Sequence, residues 1–200
     1  FPDGGVAVAD LDIDGATDIG AAIVDADLFI VDDGAGGTNR KVTASRIKTY
    51  AGGGASDYFY AYKASDDIQT LSNVTLTKVT FGTEIFDSGS DFASSTYTAP
   101  SDGKYFFSTQ VCHNSGTEAK LKQSLIVLYI NDVYTYLQNH SFAGNPTTQN
   151  TISASFCVDL SASDTVDVYS YMRYDSAATL TVHATATYAD TRFLGWRIGD

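Results

Sequence analysis

Asp10, Asp12 and Asp14, followed by Gly15, open like a calcium loop, in which alternate carboxylates and a Gly turn converge on one cation. The twelfth position of such a loop is Ala21, where a bidentate Glu is required. The triplet therefore reads as a solvated acidic edge that discourages strand-to-strand aggregation. Gly34, Gly36, Gly37 and Thr38 suggest a phosphate cradle, but no Lys-Ser/Thr pair follows and no helix begins at once, so a hairpin turn is the better reading. His113, His140 and His183 lie in different segments without partners at two- or four-residue spacing. Cys112 and Cys157 fall in separate segments, and the sequence neither requires nor excludes their pairing. His113, adjacent to Cys112 on a strand, points to the opposite face and is no base for it. Glu84, Asp87 and Asp91 cluster in a polar turn, where carboxylates are solvated, and no Gly-x-Ser-x-Gly elbow occurs. No catalytic residue, metal ligand or cofactor site emerges, and the chain reads as a non-enzyme.

The balance of charge narrows the partners. Among 200 residues, 24 acidic side chains face 12 basic ones for a net charge of −12, so phosphate backbones and anionic lipid surfaces repel the chain. Nucleic acid is not an expected partner. No run approaches the roughly 18 apolar residues of a spanning helix, and membrane insertion is not expected. The sequence starts at Phe1 and contains one Met, Met172, as a processed product or the end of a longer chain would.

Stepping along the chain divides it near residue 50. Residues 1–50 hold nine Asp, no Glu and four Lys or Arg. They read as extended pieces at Val6 to Ile13, Leu28 to Val31 and Arg40 to Val42, with a reversal over Asp32 to Gly37 and a short helix from Thr43 to Tyr50. Residues 51–57 are a Gly-rich linker. From Tyr58 to Asp200 the pattern is β throughout, and the class is all-β. In Thr151 to Leu160, Ile152, Ala154, Phe156, Val158 and Leu160 share one face, and similar alternation runs through Lys104–Val111, Val166–Tyr174 and Thr181–Tyr188. Leu125 to Ile130 is apolar on both faces. Eight to ten short strands predict a sandwich or barrel.

Phe81, Asp87 and Phe92, then Tyr97 and Gly103-Lys104-Tyr105-Phe106-Phe107, resemble the signature of the C1q/TNF-like globular head, with Tyr97 for the usual Phe and Thr109 at an aromatic position. Phe193-Leu194-Gly195-Trp196-Arg197-Ile198 is similar to that family's closing strand. The resemblance implies a jelly-roll sandwich over about 58–200, assembled as a tight homotrimer. Candidate interface residues are Leu125, Val127, Tyr129, Tyr169 and Tyr171, whose strands carry a second apolar face. A histidine on a trimer axis would meet its symmetry mates. No Gly-X-Y collagen period precedes the head.

Residues 9–50 resemble a module of marine bacteriophage tail-fibre and other virion structural proteins, which implies a connecting element bound to other tail or capsid proteins. The two resemblances together imply a virion-located, fibre-like appendage whose head attaches to a host-surface glycan or protein. Receptor contacts would come from loop residues His113, Asn114, Asn139, His140, Asn145, Tyr174 and Asp175. Two alternatives stand beside this reading. One is a secreted C1q-like recognition protein of a cellular organism, for which the sequons at Asn73 and Asn139 would matter. The other is a glycan-degrading spike with an inter-subunit carboxylate site.

Overall fold

The computed structural model describes residues 20–32, 39–51, 57–116, 119–142, 144–174, 179–184 and 190–199. The expected strand at Val6 to Ile13, the turn over 33–37, most of the linker and Asp175 lie outside them. The chain forms two compact units, Phe1–Gly53 and Gly54–Asp200.

In the first unit, β1 (Leu28–Asp32) pairs antiparallel with β2 (Asn39–Thr43), and α1 (Ala44–Tyr50) follows directly. Thr43 precedes the helix in extended conformation, without a side-chain cap bond. Its hydroxyl instead lies 2.9 Å from that of Ser45.

The second unit runs β3 (Tyr58–Tyr62), β4 (Gln69–Leu71), β5 (Thr77–Lys78), β6 (Thr83–Asp87), β7 (Phe92–Ala93) and β8 (Thr96–Thr98). The longer strands β9 (Gly103–Asn114), β10 (Leu121–Ile130), β11 (Val133–Ser141), β12 (Gln149–Leu160) and β13 (Thr165–Tyr174) follow, then β14 (Leu180–His183) and β15 (Arg192–Gly199). These exceed the eight to ten expected because the early region breaks into two- and three-residue pieces at turns such as Ser90, Ser94 and Ser95, all at positive φ. One sheet has the order β11-β10-β13-β8-β7, with β5 also on β13; the other runs β4-β14-β9-β15-β3-β6, with β12 on the free side of β9. Every pairing is antiparallel.

Period-2 alternation builds the core between the sheets. Along β9, Tyr105, Phe107, Thr109, Val111 and His113 are buried; along β13, Val166, Val168, Ser170 and Met172 are buried. Phe59 of β3 is the hub. Its ring stacks on Phe92 at 4.7 Å and on Tyr97 at 4.9 Å, and meets Phe193 edge-on at 4.9 Å. Gly195 is required by this packing, since a Cβ there would lie 2.4 Å from the Phe107 ring.

Polar groups inside the unit are mostly paired. The wholly buried Lys63 ammonium donates to Asp67 at 3.0 Å and to Thr80 at 2.9 Å; burial lowers its pKa, and Asp67 works against that shift. The Tyr97 hydroxyl is buried without a partner among the described residues, and burial raises its pKa. An unmet buried hydroxyl costs about 1–3 kcal/mol. Tyr97→Phe should therefore raise stability by about 1 kcal/mol, whereas Phe59→Ala should cost about 3–5 kcal/mol. Urea titrations check both, and a Tyr97→Phe protein less stable than the parent would contradict the first.

Candidate recognition surfaces

One end of the sandwich gathers most of the residues expected to contact a receptor. Asn114 ends β9, Tyr174 ends β13, and Asn145 is exposed between β11 and β12. Backbone bonds fix this end: Ser115 N–H donates to Thr148 at 2.9 Å, and Leu121 N–H to Thr147 at 2.9 Å. Tyr174 N–H donates to the Asn73 side chain at 3.2 Å, which ties in the turn after β4. Asn139 and His140 lie within β11 rather than in a loop, with Asn139 opposite Leu125.

His113 does not face solvent. It continues the inward alternation of β9 and is fully buried, with Nε2 2.6 Å from the Ser170 hydroxyl and Nδ1 without a hydrogen-bond partner among the described residues. Beside it, Asn150 donates to Ser124 at 2.8 Å, and its amide lies 3.4 Å from Nδ1 of His140. The Ser170–His113 pair resembles a nucleophile and base by geometry, but both side chains are sealed in the sandwich and meet no substrate.

The other expected chemistry also resolves into structure. Asp87 accepts the backbone N–H groups of Asp91 and Phe92 at 3.1 and 2.9 Å, closing its own turn. Burial, then the charges of Asp87 and Asp57, raise the Asp91 pKa. Cys112 sits opposite Thr151 and Cys157 opposite Phe106, six ladder positions apart. At about 3.4 Å per residue that is roughly 20 Å, beyond disulfide reach, and both thiols are free. Burial raises the Cys112 pKa. Among the described residues no three His, Cys, Asp or Glu side chains gather to hold a metal, and no helix is long and apolar enough to cross a membrane.

The candidate interface residues form one patch on β10 and β13. Leu125 faces Tyr171, Val127 faces Tyr169, and the Tyr129 and Tyr169 rings lie 4.2 Å apart. Val127 is already fully buried and the others are half-buried. A Lys78–Asp167 ion pair of 2.7 Å borders the patch.

A second apolar surface, absent from the residues expected above, lies on the outward side of the other sheet. Tyr58, Tyr60, Phe86, Leu194 and Trp196 line a groove of about 290 Å³, with Gly195 in its floor. Trp196 is 40% exposed and Phe86 46%. The signal was present in Tyr58-Phe59-Tyr60-Ala61-Tyr62, apolar on both faces like Leu125 to Ile130. A third apolar region is edge strand β11, where Val133, Tyr134, Tyr136 and Leu137 are exposed.

No family model matches the sequence, and no curated protein matches it. Among solved structures the chain is similar to the globular domain of zebrafish complement 1qA protein, with 14% identity and a TM-score of 0.50 over 71% of this chain and 97% of that one. It is also similar to the Eiger TNF of S. frugiperda, with 10% identity and a TM-score of 0.53 over 73% of this chain and 94% of that one. The second unit is thus a C1q/TNF-like β-sandwich.

These likenesses correct the bacteriophage reading. These two structures are a complement component of zebrafish and a TNF of S. frugiperda, and nothing found links residues 9–50 to a tail-fibre module. The virion location, the tail or capsid partners and the host-attachment role are withdrawn with it.

The buried histidine gives the domain a pH signature. Burial lowers the His113 pKa from 6.5 to about 3, so the folded state holds it neutral while the unfolded chain takes up a proton below pH 6.5. Its contribution is complete above that pH and lost as pH falls toward 3. Between pH 7.5 and pH 5 the loss should be about 2 kcal/mol. Bonds from Asn131 and the Ser161 N–H lower the Asp164 pKa, so its contribution, present at neutral pH, also fades in acid, below the ordinary carboxylate range. Denaturant titrations at the two pH values should show His113→Gln losing about 2 kcal/mol less than the parent; parallel losses would contradict the assignment.

Proposed function

We propose that residues 54–200 act outside the cell as a non-catalytic recognition domain that works as a trimer and meets its ligand through the loops around Asn114, Asn145 and Tyr174. The fold likeness supports the recognition role, and the observation that carries the assembly is the aromatic groove around Trp196. There Tyr58, Phe86 and Trp196 stay 42%, 46% and 40% exposed side by side on one face.

The apolar groove and the apolar edge strand occupy different parts of one sandwich. A copy that seats its β11 edge on the groove of the next makes a heterologous contact, which closes into a ring when three such steps complete a full turn. Three copies is the number the C1q/TNF resemblance implies. The patch around Tyr169 and Tyr171 is the less exposed surface, and in this arrangement it stays outside the contact. Threefold repetition lets loops with modest individual affinity bind a repeating ligand strongly.

Equilibrium sedimentation should give three times the 21.4 kDa chain mass. Trp196→Asp should raise the dissociation concentration at least tenfold with unchanged circular dichroism, while Tyr171→Asp should leave it alone. A stable monomer, or dissociation by Tyr171→Asp alone, overturns the arrangement. Screening wild type and Trp196→Asp against glycan and ectodomain arrays tests the recognition role. Apparent affinity should fall about 10²-fold or more in the dissociated variant.

A further inference from the structure

Two positions carry the acceptor sequence for N-linked glycosylation, Asn73-Val74-Thr75 and Asn139-His140-Ser141, and the fold treats them differently. Asn73 is committed to the backbone. Its amide oxygen accepts the Tyr174 N–H at 3.2 Å and its amide nitrogen donates to the Tyr174 carbonyl at 3.5 Å, a two-way pair that uses the amide hydrogen lying beside the oxygen. That is the hydrogen a sugar replaces in a trans N-glycosidic amide, so a glycan there breaks the tie between the turn after β4 and the end of β13. Asn139 has no such commitment. Its amide oxygen accepts from Gln123 at 3.2 Å, and its amide nitrogen has no acceptor among the described residues. Asn139 and Ser141 are both exposed.

The strand ladder fixes where a sugar on Asn139 lies. Ser141 stands opposite Gln123, Asn139 opposite Leu125, and Leu125 opposite Tyr171; these positions alternate with the buried Ser124 and Ile126, so all of them point outward from one sheet. Two strand spacings, about 10 Å, separate Asn139 from Tyr171. The first two rings of an N-linked chain span that distance. Past Tyr171 the face continues through Tyr169 and Tyr129 to Tyr134, bordered by the Lys78–Asp167 ion pair. It differs in kind from the groove around Trp196, because its four rings are all tyrosines, each with an apolar body for the C–H face of a pyranose and a hydroxyl for its oxygens. Attachment two strands away holds a sugar over this face at an effective concentration in the mM range, so weak contacts keep it in place.

We propose that Asn139 is an N-glycosylation site and that the first sugars of its glycan lie over Leu125 and Tyr171, covering the tyrosine face of the sandwich. The inference rests on the proposed action outside the cell in one respect: only a chain exported through a glycosylating secretory route meets the enzyme that attaches the sugar. The cover fits the proposed assembly. The tyrosine face is the one that assembly leaves outside the contact, and the exposed apolar residues of β11 end at Leu137, short of Asn139. With that face closed by sugar, association between copies runs through the groove alone.

Full-length protein secreted from insect cells tests it, as wild type and as Ser141→Ala, which removes the acceptor sequence while keeping Asn139 and its bond from Gln123. Enzymatic glycan release in heavy-oxygen water marks each occupied asparagine, and peptide mass spectrometry should find the mark at position 139 of the wild type and none there in Ser141→Ala. Hydroxyl-radical labelling of Tyr171 should rise about threefold in Ser141→Ala, once the tethered cover is gone. Tyr50, 94% exposed, serves as the unchanged reference. An unmarked position 139 in the secreted wild type, or equal labelling of Tyr171 in the two proteins, overturns the inference. Protein made in bacteria lacks this glycan, and its sedimentation and array binding decide the trimeric recognition reading separately, so either can fail while the other stands.

Discussion

The sandwich depends on the aromatic cluster centred on Phe59. That ring meets Phe193 from its own sheet and Phe92 and Tyr97 from the opposing one, so a single side chain joins β3, β7, β8 and β15. Each ring removed from water contributes about 1.5–3 kcal/mol, and their mutual contacts fix the separation and register of the sheets. The strict alternation of a strand then gives the outward face no choice. With Phe59, Phe107, Phe193 and Gly195 turned inward, Tyr58, Tyr60, Phe106, Leu194 and Trp196 must turn outward. The apolar groove is a direct consequence of the register that forms the core.

The same geometry explains why polar residues end up inside. At the end of the sandwich where β9 and β13 approach the loops, apolar side chains give way to His113, Ser124 and Ser170, all buried. Hydrogen bonds through Ser170 and Asn150 offset part of the desolvation cost, and Nδ1 of His113 has no hydrogen-bond partner among the described residues. The loops that would carry recognition are thus anchored to an acid-sensitive part of the interior. At the opposite end, Asn131 and Asp164 lock the approach to β13 through exposed bonds.

Much of this was legible in the sequence. The alternation of Thr151 to Leu160 became β12 with its apolar face inward, and the closing pattern around Gly195 marked a place where no side chain fits. The expectation that His113 is a loop residue fails because the alternation of Tyr105, Phe107, Thr109 and Val111 carries on to an inward position at 113. The groove was missed for a different reason. It assembles from β3, β6 and β15, whose neighbours are far away in sequence, and no local pattern encodes which doubly apolar strands will lie side by side. The expectation for residues 9–50 failed where it rested on likeness of an acidic, glycine-broken sequence alone, since such composition is compatible with many contexts.

Trp196, the only tryptophan in the chain, stands in the middle of the face on which the account turns. In an isolated sandwich it is 40% exposed and within reach of an aqueous quencher. Acrylamide quenching of its fluorescence across a dilution series therefore reads the cover on that face directly. A shielded tryptophan at working concentration that becomes quenchable as the protein is diluted is the predicted result. Equal, ready quenching at every concentration would show the face to be permanently open to water and would contradict the account.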